Sequence, residues 1–191
     1  GGGLVFDGYE VPGNHNDVID ASGLVIDPNA AVGLVIDGGI GDDVITGSIA
    51  GDHITGGSGN DTIMGLGGAD HIYGDAGFIV NLATRYLSVV DTIIPTPSLD
   101  SADTRIAGED SIDGGSGDDI ILADYGVIDQ VAGTLRMATT GMVTRIESSQ
   151  TAAGQDDTVQ GGFGNDVIMT GLGDDVINDS DGNNIIFGDH G

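Results

Sequence analysis

Residues 38–73 read GGIGDDVIT, GSIAGDHIT, GGSGNDTIM, GLGGADHIY, four blocks of nine with nothing left over. The sixth place holds Asp43, Asp52, Asp61 and Asp70, and the eighth holds Ile45, Ile54, Ile63 and Ile72. The frame returns as RIAGEDSID and GGSGDDIIL at 105–122, with Asp110 and Asp119 in sixth place. It returns again as AAGQDDTVQ, GGFGNDVIM, TGLGDDVIN and DSDGNNIIF at 152–187, with Asp157, Asp166, Asp175 and then Asn184. Glycines at the front of a block permit φ > 0 in a tight turn, and the D-x-I-x that follows alternates like a brief strand with one apolar residue turned inward. A strand that short cannot bury its side chain alone. Two nonapeptides form one coil of a flattened parallel solenoid, so that residues two blocks apart stack. The expected fold class is all-β, a parallel β-roll or β-solenoid.

Stacking has an electrostatic consequence. Asp43 falls beneath Asp61, Asp52 beneath Asp70, Asp157 beneath Asp175 and Asp166 beneath Asn184. Stacked strands lie about 4.8 Å apart, where two carboxylates repel by about 0.9 kcal/mol in water and several times that at an effective dielectric of 20. Repeated up both edges, the repulsion rivals the roughly 5–15 kcal/mol stability of a small domain. The ladder therefore requires cations between its rungs. Short carboxylates and the carbonyls of glycine turns offer hard oxygen ligands in flexible number, which suits Ca²⁺ better than the octahedral, reluctantly dehydrated Mg²⁺.

These blocks resemble the RTX (repeats-in-toxin) nonapeptide G-G-x-G-x-D with an apolar eighth place, a pattern among the Ca²⁺-binding parallel β-rolls. The resemblance covers residues 38–77, 105–126 and 152–191, just over half of the chain. It implies several Ca²⁺ ions held between successive turns by the sixth-place residues Asp43, Asp52, Asp61, Asp70, Asp110, Asp119, Asp157, Asp166, Asp175 and Asn184. Backbone carbonyls of turns such as those at Gly38, Gly41, Gly56, Gly59, Gly161 and Gly164 complete the expected ligand set. It also implies a secreted bacterial protein, exported unfolded and folded by extracellular Ca²⁺. Ala50 and Gln155 stand in glycine places and Asn184 in an aspartate place, so weaker or empty sites are expected there.

Composition agrees with positioned charge. There are 31 acidic residues against 4 basic ones, a formal net charge of −27, and only Glu10, Glu109 and Glu147 are glutamates. Nucleic acid and anionic membrane surfaces would be repelled by that field. A hydrophobic content of 39% with regularly spaced Ile and Val argues against a disordered acidic tract. Without Cys there is neither a disulfide framework nor a thiolate site. No stretch approaches the roughly 20 apolar residues of a membrane span, and the start lacks the pattern of a signal peptide.

Outside the nonapeptides the period changes. Over residues 1–37, Gly3, Gly13, Gly23 and Gly33 recur every ten residues, as do Asp7, Asp17, Asp27 and Asp37, which predicts wider solenoid coils. The runs at 38–77, 105–126 and 152–191 close in GDAG, ADYG and GDHG. Between them, 78–104 and 127–151 are poor in glycine and rich in β-branched residues, and read as interrupting strand pairs or hairpins. All four arginines, Arg85, Arg105, Arg136 and Arg145, lie in or beside these inserts. Surface ion pairs worth at most about 1 kcal/mol are expected of them in preference to clamps on the ladder. His53 and His71, both in seventh place, are expected on an outward face.

Catalytic motifs are missing: no nucleophile elbow, zinc helix, cysteine nucleophile or phosphate loop occurs. The irregular third place, Ile40, Ile49, Ser58, Gly67, argues against a flat ice-binding ladder. The reading is a non-enzymatic, Ca²⁺-binding structural segment of a large secreted bacterial surface, matrix or adhesin protein. Its adhesive partner is undetermined, and neighbouring repeats of a longer chain are its expected contacts. A C-terminal folding module of a secreted hydrolase or toxin, and a fibre subunit stacking on itself head to tail, are the alternatives.

Overall fold

The structure, a computed structural model, describes residues 5–6, 15–25, 33–81, 86–90, 107–131, 139, 141–149, 154–179 and 181–189. It is a parallel β-roll of two sheets. The seven-stranded sheet runs β1 (Val5–Phe6), β3 (Val35–Ile40), β5 (His53–Ser58), β7 (His71–Tyr73), β11 (Ile120–Leu122), β15 (Val167–Met169), β17 (Ile185–Phe187). Facing it, the six-stranded sheet runs β2 (Val18–Asp20), β4 (Val44–Thr46), β6 (Thr62–Met64), β10 (Ser111–Ser116), β14 (Thr158–Phe163), β16 (Val176–Ile177). The chain crosses from one sheet to the other at every glycine turn.

The eighth-place residues make the core. Ile36, Ile45, Ile54, Ile63, Ile72, Ile112, Ile121, Val159 and Ile168 form one cluster between the sheets, each almost wholly excluded from water. In the register Ile36 lies beside Ile54, Ile54 beside Ile72 and Ile45 beside Ile63. β-branched side chains are restricted at χ1 and suit a pleated surface, so identical residues stack without rearrangement from coil to coil. Second-place glycines make the turns possible. At Gly57 (φ +108°) a Cβ would strike the Gly39 carbonyl of the preceding coil. Leu66 occupies the same place with φ 76°, a conformation that L-residues adopt only at a cost.

The inserts do not disturb this register. Ile63 of β6 pairs with Ile112 of β10, and Ile72 of β7 with Ile121 of β11, although 49 residues separate successive coils there. The intervening chain is looped out as antiparallel hairpins, β8 (Gly77–Asn81) with β9 (Tyr86–Val90) and β12 (Gly126–Gln130) with β13 (Val143–Ser148). Both fold back over the outer face of the seven-stranded sheet. Phe78, Val89, Ile128, Val143 and Ile146 pack with Tyr73, Ile120, Leu122 and Met169, while Leu87 and Phe78 cover Val35. The outward residues of the six-stranded sheet, among them Val18, Val44 and Met64, are exposed.

Towards the N-terminus the coils widen: Val5 pairs with Val35 and Val18 with Val44. Much of the ten-residue periodicity, including Asp7 and Asp27, lies outside the described residues, as do Arg85, Arg105 and Arg136. Arg145 pairs with Asp129, 2.9 Å away, and with Glu147, all on its own hairpin. That is a surface ion pair and not a clamp on the ladder.

The expectation for the histidines is corrected. His53 and His71 do face away from the core, but the first hairpin lies over them and both are buried. Their rings meet edge to face at 4.8 Å, and the Phe78 ring stands 6.5 Å from His53. Burial, reinforced by His53, holds the His71 imidazole well below its usual pKa. Periodicity assigns a side chain to a face; it carries no information about what a distant insert lays upon that face.

Candidate metal centres

Each edge of the roll carries a continuous carboxylate ladder. Along one, the Asp17 N–H donates to Asp43 Oδ1 at 2.6 Å, Asp43 to Asp61 at 2.7 Å, Asp61 to Asp110 at 2.8 Å, Asp110 to Asp157 at 2.8 Å and Asp157 to Asp175 at 3.0 Å. Along the other, Leu34 donates to Asp52 at 2.7 Å, Asp52 to Asp70 at 2.7 Å, Asp70 to Asp119 at 2.8 Å, Asp119 to Asp166 at 2.9 Å and Asp166 to Asn184 at 2.9 Å. The sixth-place residues are thus brought together in two columns, and the columns run through both inserts. Aspartate suits this place because one short side chain reaches the backbone of the preceding coil and leaves its second oxygen over.

That second oxygen is the chemically active feature. Oδ2 of Asp43, Asp70, Asp110, Asp119, Asp157, Asp166 and Asp175 is buried and accepts no hydrogen bond. Leaving a buried carboxylate oxygen unsatisfied is costly. The Oδ2 atoms of Asp43, Asp70, Asp110, Asp119 and Asp166 each point into a hollow that exists because the first residue of the turn, Gly38, Gly65, Gly74, Gly114 or Gly161, has no side chain. At Gly114 the position a Cβ would take is 2.6 Å from Asp119 Oδ2 and 2.6 Å from the Gly161 carbonyl oxygen of the next coil. At Gly38 the hollow is lined by Asp43 Oδ2 and the Gly56 carbonyl, and at Gly65 by Asp70 Oδ2 and the Gly114 carbonyl. Carboxylate and carbonyl oxygens converging at such spacing form a donor set for a hard cation, and Ca²⁺ binds oxygens at 2.3–2.6 Å. The residues fit the ion.

The fourth-place glycines Gly41, Gly59 and Gly164 form a separate column, in which the Gly41 carbonyl lies against the Gly59 Cα and the Gly117 carbonyl against the Gly164 Cα. Among the described residues no three His, Cys, Asp or Glu side chains gather as a metal site by themselves. Backbone oxygens are therefore indispensable to any site here.

Protonation shows the strain of the columns without a cation. Burial pushes the Asp43 carboxyl up to about 6, with Asp17 and Asp42 adding to it. Burial raises Asp119 to about 7, Asp157 to about 8 and Asp70 to about 9, each reinforced by neighbouring aspartates. Backbone N–H donors oppose these shifts and do not overcome them.

Two turns solve the problem differently. Asp52 accepts the Ser48 N–H at 2.6 Å and the Ser48 hydroxyl at 3.0 Å, so protein donors serve both of its oxygens. This is the turn in which Ala50 replaces glycine. In the last turn the Asn184 amide donates to Asp179 and, at 2.7 Å, to the Asp181 carbonyl. The Ser48 N–H in one case and the Asn184 amide in the other stand where the remaining turns leave an oxygen facing a hollow.

Sequence reasoning passed over Asp75 and Asp124, both buried in the edge column beside Asp110 and Asp157. Their signal was the aspartate of the closing GDAG and ADYG, read there as punctuation. It also passed over Gly65, Gly74 and Gly114, whose first place in the block marks them as hollow-forming.

The sequence profile of the RTX calcium-binding nonapeptide repeat matches in four copies, at residues 46–78, 107–126, 151–177 and 170–191. No curated protein and no solved structure matches the chain.

Proposed function

We propose, from the premise that this chain belongs to the RTX calcium-binding nonapeptide-repeat family, that it is a rod segment of a bacterial surface or matrix protein, soft without Ca²⁺ and rigid with it. The repeats bind several Ca²⁺ ions. The ligand set we assign is the Oδ2 atoms of Asp43, Asp61, Asp70, Asp110, Asp119, Asp157, Asp166 and Asp175, with first-place carbonyls such as those of Gly56, Gly114 and Gly161. Asp52 and Asn184 stand outside it, because protein donors already serve them.

The observation that carries this reading is the file of buried Oδ2 atoms of Asp43, Asp70, Asp110, Asp119 and Asp166, without hydrogen-bond partners and each over a glycine hollow. A cation supplies there what no side chain does. Ion binding and coil closure are then one process, and binding free energy becomes folding free energy. Sites on the order of 10⁻⁴–10⁻³ M, typical of extracellular modules, would leave the chain open inside a cell and close it outside. The inserts favour a rod over a folding module appended to an enzyme, since they cover one sheet with hairpins and leave the ladders continuous.

A Ca²⁺ titration followed by far-UV circular dichroism, with Mg²⁺ as control, tests the proposal. Cooperative gain of β signal with Ca²⁺, reversal by chelator and little response to Mg²⁺ are expected. A chain equally folded in chelator would refute it.

A further inference from the structure

The fourth place is glycine in most blocks and the third place varies: Ile40 precedes Gly41, Ser58 precedes Gly59 and Phe163 precedes Gly164. In the last block the third place is Asp181, directly ahead of Gly182. The nitrogen of a fourth-place glycine ordinarily serves the stack. The Gly41 N–H donates to the Ser58 carbonyl of the next coil at 2.7 Å, and the Gly117 N–H to the Phe163 carbonyl at 2.8 Å. The Gly182 N–H, in the last described coil, donates instead to Oδ1 of Asp181, the side chain of its own neighbour, at 2.9 Å. Both residues are exposed. Gly182 is held at φ +91°, and a Cβ there would strike the Gly164 carbonyl, so the frame keeps this place free of a side chain.

A carboxyl lying against the nitrogen of the next residue is positioned for ring closure, because holding reacting groups near contact distance supplies much of the entropy the step would otherwise lose. The Gly182 nitrogen gives up its proton and bonds to Asp181 Cγ. The Cγ–Oδ bond breaks, and the oxygen leaves as water with that proton and the proton of the acid. The product is a five-membered cyclic imide, which water reopens at either carbonyl. Opening at Cγ restores aspartate. Opening at the backbone carbonyl leaves isoaspartate, in which the main chain runs through the side-chain methylene and is one atom longer.

The same dipeptide occurs in two strands and is held differently there. Asp37–Gly38 lies within β3 and Asp113–Gly114 within β10, with both glycines buried. Asp37 Oδ2 accepts the Phe78 N–H at 3.3 Å, and the Asp113 carbonyl accepts the Gly65 N–H at 2.8 Å. An extended, paired backbone opposes closure. At residue 181 the carbonyl that would be displaced has a structural duty: it accepts the Asn184 amide at 2.7 Å, and Asn184 Oδ1 in turn accepts the Asp166 N–H at 2.9 Å.

We propose that Asp181–Gly182 is a self-modification site, which converts to isoaspartate in the folded chain and thereby releases Asn184, the last rung of the second column. None of the reacting atoms belongs to the ligand set assigned above, so the inference stands apart from the Ca²⁺ reading.

The test is incubation of the chain in heavy-oxygen water with 10 mM Ca²⁺, with and without urea, followed by mass spectrometry of the peptides spanning residues 37, 113 and 181. Each ring opening inserts one heavy oxygen. In urea the three bonds should label at like rates. In the native chain Asp37 and Asp113 should slow at least about tenfold, as groups held away from attack geometry do, while Asp181 should not slow. Hydrogen exchange at the Ile185 N–H, bonded to the Asp166 carbonyl at 2.8 Å, should quicken as isoaspartate accumulates. D181E keeps the charge and the carbonyl but closes no five-membered ring, and should neither label at that residue nor quicken. Labelling of Asp181 that slows on folding as Asp113 does, or isoaspartate without faster exchange at Ile185, overturns the proposal.

Discussion

Replacing Asp119 by Asn should stabilise the chain without Ca²⁺ and keep only part of that gain with it. Asp119 is fully buried, its Oδ1 accepts the Asp70 N–H at 2.8 Å, and its Oδ2 faces the Gly114 hollow. Asparagine keeps the first bond and turns a neutral donor towards the Gly161 carbonyl. The chain already contains this arrangement at Asn184, whose amide donates to Asp179 and Asp181. With its pKa raised from 3.8 to about 7, ionised Asp119 costs the metal-free fold about 4 kcal/mol at neutral pH, and the substitution removes that cost. In 10 mM Ca²⁺ the same change forfeits one ion. For a site of 10⁻⁴–10⁻³ M this loss is about 1.4–2.7 kcal/mol. Urea unfolding in chelator and in 10 mM Ca²⁺, beside a calorimetric ion count, reads both arms. If D119N destabilises the chain equally in the two conditions, or leaves the ion count unchanged, Asp119 Oδ2 is not a ligand and the hollow is only packing.

Acid should substitute in part for Ca²⁺. Asp43, Asp119, Asp157 and Asp70 have folded pKa values raised to about 6, 7, 8 and 9 from 3.8, so the metal-free fold binds protons that the unfolded chain releases. That stabilisation is fully present below about pH 4 and is lost as pH rises from there to about 9. Between pH 4 and 6 the four groups together give a slope of about 5 kcal/mol per pH unit. Circular dichroism in chelator should show more β structure at pH 5.5 than at pH 8, with the difference abolished by Ca²⁺. S48G/A50G should let this turn adopt the positive φ of Gly39 and Gly57, withdraw the residue-48 N–H from Asp52 Oδ2 and create one further site, raising the ion count by one in calorimetry. I63A should open a cavity in the single file of isoleucines and cost about 2–5 kcal/mol, read as a lower urea midpoint in Ca²⁺ with an unchanged ion count.

The nine-residue frame made the roll legible because each property it needs is local: a glycine turn, one buried Ile, one Asp. Stacking of Asp43 on Asp61 follows from two such blocks making a coil. That Asp61 meets Asp110 does not follow, since it depends on the intervening chain closing upon itself as a hairpin, which nothing in residues 38–77 encodes. The same long-range event buries His53 and His71. Asp52 shows the opposite limit: its departure from the pattern was visible at Ala50, but the compensating group was Ser48, an unremarkable residue until its N–H is placed on Asp52 Oδ2. Asp75 and Asp124 were visible in GDAG and ADYG. Their meaning required knowing that each begins a detour on one edge and that the detours lie in adjacent coils.

The Asp43 N–H reaches the next coil after 18 residues, and the Asp61 N–H reaches its own after 49, with bonds of 2.7 and 2.8 Å. Contour length and axial length are therefore uncoupled. A detour can be lengthened, shortened or rewritten while the axial advance per coil stays one strand spacing, about 4.8 Å. Tension applied along the axis passes through the backbone-to-carboxylate bonds of both columns and bypasses the hairpins. Ornament and load path belong to different parts of the same chain, so selection can alter what the surface displays without retuning what bears the force.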